Sequence, residues 1–132
     1  MSDTIGTFWI VTKQDEIFAF GDSPKPRNRT FSFALTEENY NSWAYITLMA
    51  RGVTYDRNRV ILNDEFIGYL NPTPNNFWIQ QTFIVEVYDR QIYGDGPLNR
   101  LVIESNNSAG NSSGNLDDFD IKHIIFHHRT HR

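Results

Sequence analysis

Trp43-Ala44-Tyr45-Ile46-Thr47-Leu48-Met49-Ala50-Arg51 carries the alternation from which the fold class is read. Side chains along a strand alternate between two faces, so residues two apart in the chain share a face. One face of this stretch carries Ala44, Ile46, Leu48 and Ala50; the other carries Trp43, Tyr45, Thr47 and Met49. Both faces are fairly apolar, which predicts a central strand. The best candidate for a helical stripe, Leu35 to Tyr40, is short and runs into Asn41-Ser42.

On both sides of this stretch, short apolar runs recur between turn signals. They are Thr7–Thr12, Ile17–Phe20, Thr30–Leu35, Trp43–Arg51, Arg59–Leu62, Glu65–Leu70, Trp78–Val87, Arg100–Glu104 and Phe119–Phe126. Gly21-Asp22-Ser23-Pro24, Asn71-Pro72-Thr73-Pro74, Gly94-Asp95-Gly96-Pro97 and the Asn/Ser/Gly-rich segment Asn106 to Asn115 separate them. Asn63-Asp64 reads as a two-residue hairpin turn, because both residue types tolerate positive φ. In the last run Phe119 and Ile121 set one phase and Ile124 and Phe126 the other, so a β-bulge near Lys122-His123 is expected. The spacing predicts an all-β fold: a two-sheet antiparallel β-sandwich of about nine strands, forming a single domain over residues 1–132. Ile46, Leu48, Val60, Leu62, Leu101, Ile103 and Ile121 are expected to point between the sheets.

Composition narrows the function classes. A 132-residue chain with 39% hydrophobic and 21% charged residues has the size and apolar content for one packed core. A net charge of −4 argues against nucleic acid as a default partner, since phosphate binding calls for a basic surface. The absence of cysteine excludes disulfides, thiol nucleophiles and cysteine-ligated zinc, and fits a reducing compartment. Met1 to Gly6 lacks the apolar run of a signal peptide, and no stretch approaches the roughly 20 apolar residues of a membrane span. The expectation is a protein without a membrane span, cytoplasmic or exported by a non-classical route.

No catalytic constellation stands out: there is no phosphate loop, His-Glu-x-x-His or Gly-x-Ser-x-Gly. The acidic pairs Asp15-Glu16, Glu37-Glu38 and Asp117-Asp118 are not placed across a cleft by any spacing in the sequence. The chain is expected not to be an enzyme. His123, His127, His128 and His131 read as a solvated tail or as strand residues, with metal binding as the rarer alternative. The basic run Lys25, Arg27 and Arg29 reads as a solvated loop, with recognition of an acidic group as its alternative.

From Trp43 onward the order of features resembles the galactose-binding-domain-like jelly roll of carbohydrate-binding modules, lectins and family 2 glycosidases. The matching pieces are Trp43–Arg51, then Val60-Ile61-Leu62-Asn63-Asp64-Glu65-Phe66-Ile67-Gly68, and then Trp78 to Val87. Gly96-Pro97-Leu98-Asn99-Arg100-Leu101-Val102-Ile103 and Asp117-Asp118-Phe119-Asp120-Ile121 follow. Asp64 stands where that pattern usually has Gly, and Pro97-Leu98 widens the later turn. The resemblance covers about two-thirds of the chain and implies a glycan or glycoconjugate partner.

The residues offer a site of matching chemistry. Sugars need a flat aromatic ring for their C–H faces and amides or charged groups for their hydroxyls. Asn71-Pro72-Thr73-Pro74-Asn75-Asn76-Phe77-Trp78 supplies both within one proline-stiffened loop, making Asn75, Asn76, Phe77 and Trp78 the candidate ligand-binding residues. Tyr40, in Tyr40-Asn41-Ser42-Trp43, is expected to complete the site, and Tyr88-Asp89-Arg90 is a third such cluster. Single-site affinity would be weak, so a homo-oligomer would add avidity. The resemblance further implies a structural calcium, with Asp15 or Glu16 meeting Asp117 and Asp118 as oxygen ligands. The rival reading is a protein-interaction or structural assembly domain of a larger complex, with the aromatics in a subunit interface.

Overall fold

The computed structural model describes residues 4–13, 15–34, 43–86, 98–111 and 113–131. Among the described residues nine strands form: β1 (Thr4–Ile10), β2 (Phe18–Phe20), β3 (Asn28–Phe33), β4 (Trp43–Arg51), β5 (Arg59–Leu62), β6 (Glu65–Tyr69), β7 (Ile79–Glu86), β8 (Asn99–Glu104) and β9 (Phe119–His131). Among the described residues there is no helix, and hence none long and apolar enough to cross a membrane. The anticipated antiparallel β-sandwich is the observed fold.

One sheet runs β1-β9-β4-β7, with β2 also paired to β9; the other runs β3-β8-β5-β6. All pairings are antiparallel. From β3 onward the chain crosses between the sheets repeatedly, so each sheet is assembled from strands distant in sequence. β9 is the spine of the larger sheet. Its first part pairs with β2, its last part with β1, and its other edge with β4.

β4 is central, as its two apolar faces predict. Ala44, Ile46, Leu48 and Ala50 are buried in the core with Val60, Leu62, Leu101, Ile103 and Ile121. The phase change in β9 is resolved as expected. Its register against β4 shifts between Thr47 and Met49, and His123 takes a positive φ of 55°. The extra residue lets Phe119 and Ile121 point inward, and Ile124 and Phe126 as well. Asn63 and Asp64 have φ of 50° and 68°, both left-handed as a type I′ hairpin turn requires, and Leu62 pairs with Glu65 across it.

The strand ends depart furthest from the sequence reading in β1 and β9. β1 begins at Thr4 instead of Thr7, and β9 runs on to His131 instead of stopping near Phe126. Residues 125–131 pair one for one with β1. Backbone pairing therefore makes a strand of a polar histidine-rich segment that local pattern alone leaves ambiguous, and the solvated-tail alternative does not hold for it.

Candidate functional site

The loop joining β6 to β7 is held at several points along its length. Asn71 N donates to Gln81 Oε1 at 2.7 Å, and Gln81 Nε2 returns a bond to Asn71 O at 2.9 Å. Thr73 N donates to Val53 O and its hydroxyl accepts from Val53 N. Gly52 N donates to Pro74 O at 3.0 Å. Gly52 has φ of 75°, a left-handed conformation, and a Cβ there would meet Asn75 Oδ1 at 3.3 Å. Glycine thus lets the loop lie close against the end of β4.

On this frame Asn75, Asn76 and Phe77 are exposed, with Phe77 at 65%. Trp78 is half-buried and differs from its neighbours. The Arg51 guanidinium carbon lies 4.4 Å from its ring centroid and Lys122 Nζ 4.2 Å from it. The negative face of an indole attracts cations, and Asp120 offsets part of the positive charge through its 3.0 Å bond to Arg51 Nε. Much of the Trp78 ring is therefore already engaged, which leaves Phe77 as the loop's open aromatic surface. Arg51 and Lys122 carry no motif that would mark them in the sequence; the β4–β9 register alone brings them together. Tyr40 and the Tyr88-Asp89-Arg90 cluster lie outside the described residues.

Asp117 occupies a different environment. It is only 2% exposed, and its carboxylate accepts from Thr54 N, from Tyr55 N at 2.8 Å and from Asn58 Nδ2 at 2.8 Å. Fully buried Asn58 in turn accepts from Asn106 N through Oδ1, and Asn106 Nδ2 donates to Arg57 O. This polar knot joins the 52–58 loop to the segments on either side of the 107–116 loop. Asp118 instead faces solvent, 3.5 Å from Lys25 Nζ, while Asp15 and Glu16 are exposed after β1. Among the described residues no three His, Asp or Glu side chains gather where a metal ion could be held, so Asp15, Glu16, Asp117 and Asp118 are not brought together as a ligand set. Both carboxylate oxygens of Asp117 are given to N–H donors.

The outer face of the five-stranded sheet carries an apolar row that crosses four strands. Phe8 lies opposite His127, His127 opposite Tyr45, and Tyr45 opposite Ile84. Phe8, Ile10 and Ile84 are 60%, 55% and 76% exposed. His127 stacks on Tyr45 with ring centroids 4.4 Å apart, and its Nε2 lies 3.0 Å from Thr47 Oγ1. Burial holds the His127 imidazole below the ordinary histidine pKa, so the fold favours its neutral form. Above about pH 6.5 both folded and unfolded chains are neutral there. As pH falls below that value the unfolded chain takes up a proton that the folded site resists, and stability is lost. Melting temperature measured against pH is expected to decline less between about pH 7 and 5 in His127→Gln than in the wild type. Parallel slopes would remove His127 from the acid response.

Comparison with known proteins attaches no family to this geometry: no protein-family model matches the chain, and neither does any curated protein.

Proposed function

We propose that this chain is a non-catalytic recognition module of the galactose-binding-like jelly-roll type, which binds a glycan through the loop between β6 and β7. The observation that carries this reading is the exposed Phe77 ring, set beside the exposed Asn75 and Asn76 on a loop already fixed by hydrogen bonds. A loop held in place before binding loses little entropy when a ligand arrives. The two amides donate and accept as sugar hydroxyls require, and the phenyl ring offers a stacking face. The test is a glycan array followed by titration of the best glycan. Replacing Asn75 and Asn76 by Ala is expected to weaken binding by about 1–3 kcal/mol while leaving the melting temperature nearly unchanged. Silence across the array would end the glycan reading.

A second reading, a protein-interaction or assembly domain, is favoured by one observation, the apolar row on the outer face of the five-stranded sheet. Exposed sheet faces are usually polar, and a contiguous apolar patch marks an interface. An oligomer seen by light scattering that Ile84→Lys splits, in a protein that binds no glycan, would establish this reading in place of the first.

A further inference from the structure

The outer face of the four-stranded sheet carries a row of side chains fixed by register. Asn28 lies opposite Glu104, Glu104 opposite Arg59, and Arg59 opposite Tyr69. The first three of these line a cleft of about 270 Å³ together with Arg27, Asn106 and Asn111, and Tyr69 stands beside it. Small-molecule sites are mostly apolar with a few polar groups. Here the side chains are polar or charged throughout, which suits a ligand that is itself polar over most of its surface.

The cleft is preformed. Ser105 N donates to Arg27 O at 2.8 Å, and buried Asn106 is tied to Asn58 and Arg57. Asn107 folds the adjoining loop on itself: its Oδ1 accepts from Ala109 N and Asn111 N, and its Nδ2 donates to Ser113 O. Next to the polar wall, Tyr69 and Phe66 are exposed and meet edge to face at 4.8 Å, with the Arg59 guanidinium 5.6 Å from the Phe66 centroid.

Charge narrows the ligand further. Arg27 and Arg59 against Glu104 leave a wall of net charge +1 in a chain of net charge −4. Arg59 reaches Glu104 by one long contact of 3.4 Å, using one of a guanidinium's five donors. Strong guanidinium–carboxylate bonds are shorter, roughly 2.7–2.9 Å. A ligand carboxylate can therefore be gripped more firmly than Glu104 is. A phosphomonoester, with a charge of about −1.5 to −2, would be opposed by Glu104 more strongly than a singly charged carboxylate is.

We infer that this cleft binds a carboxylated sugar of the hexuronate class. Its carboxylate docks on Arg59 and Arg27. Its hydroxyls bond to Asn28, Asn111 and Glu104, and Tyr69 covers a C–H face. The site shares no residue with the β6–β7 loop, so it stands or falls apart from the glycan reading given to that loop.

The test is an NMR titration of the isotope-labelled protein with glucuronate and galacturonate, beside glucose, galactose and acetate. The uronates are expected to saturate in the roughly millimolar range, shifting the Arg59 Nε–H and the Asn28 and Asn111 side-chain amides. The neutral sugars and acetate should bind roughly tenfold more weakly, since each makes only part of the contacts. Arg59→Gln should lose roughly tenfold in uronate affinity, because the amide keeps donors but not the charged fork. Glu104→Gln should tighten uronate binding a few-fold by removing the competing carboxylate. Arg59 is partly exposed, so its variant should melt like the wild type; if it does not, Asn28→Ala, expected to weaken uronate several-fold, takes its place. Failure of the uronates to bind, glucose or acetate binding as tightly as the uronates, or uronate affinity unmoved by Arg59→Gln would each overturn the proposal.

Discussion

Asp117→Ala is expected to destabilise the fold by about 3–5 kcal/mol, because it leaves several donors without their common acceptor. The substitution strands the Thr54 and Tyr55 amides and the buried Asn58 side chain, whose donors all converge on one carboxylate. Each buried donor left without an acceptor costs about 1–3 kcal/mol. Asp117→Asn should cost less, because one carbonyl oxygen still accepts, although its NH2 faces other donors. Asn58→Ala combined with Asp117→Ala should cost less than the sum of the two, since both remove the same bond. Chemical denaturation of the wild type and these four variants checks this. A variant Asp117→Ala that unfolds at the wild-type midpoint would mean that the knot contributes nothing to stability. The loss also bears on function, because the knot positions Asn106 in the wall of the polar cleft.

Phe126→Ala is the second large effect, expected at about 3–5 kcal/mol for a fully buried phenyl ring. Phe126 is completely buried, and its ring centroid lies 5.3 Å from that of Phe33 on the opposing sheet. Removing it opens a cavity where the two sheets meet, and close-packed neighbours on both sides relax only partly. Against a total stability of roughly 5–15 kcal/mol for a domain, that is a large fraction. Ile84→Ala, on the outer face of the same sheet, is the control, expected to fall within about 0.5 kcal/mol of wild type in the monomer. Thermal melts of the two variants test the contrast. Equal losses would contradict the inward assignment of the second half of β9, and with it the bulge at His123.

That bulge shows how far local pattern reaches. A run with Phe119 and Ile121 in one phase and Ile124 and Phe126 in the other requires one inserted residue if all four are to face a core. The same local logic gives the central position of β4 and the left-handed turn at Asn63-Asp64. It is weaker at chain ends. β9 continues to His131 because β1 supplies its hydrogen-bond partners, a condition no property of the segment itself reveals. For the candidate loop, residue chemistry indicated that Asn75, Asn76 and Phe77 suit an exposed site. It carried no sign that Arg51 and Lys122 would cover the Trp78 ring.

The fold class, the strand set and the inward residues are legible in the chain alone, because the period-two alternation of side chains is a property of neighbouring residues and needs no knowledge of partners. Which distant residues meet is set by the packing of the sheets. Asp117 is enclosed by a loop some sixty residues earlier, Arg27 reaches a cleft shared with Arg59 and Glu104, and Phe8 falls into line with Tyr45 and Ile84. Those meetings follow from strand order and register, which are set by packing two whole sheets against each other. In a chain that crosses repeatedly between sheets, spatial neighbours are seldom neighbours in sequence, so side chains that read singly as turn residues or solvated charges combine into a knot, a cleft and an apolar face.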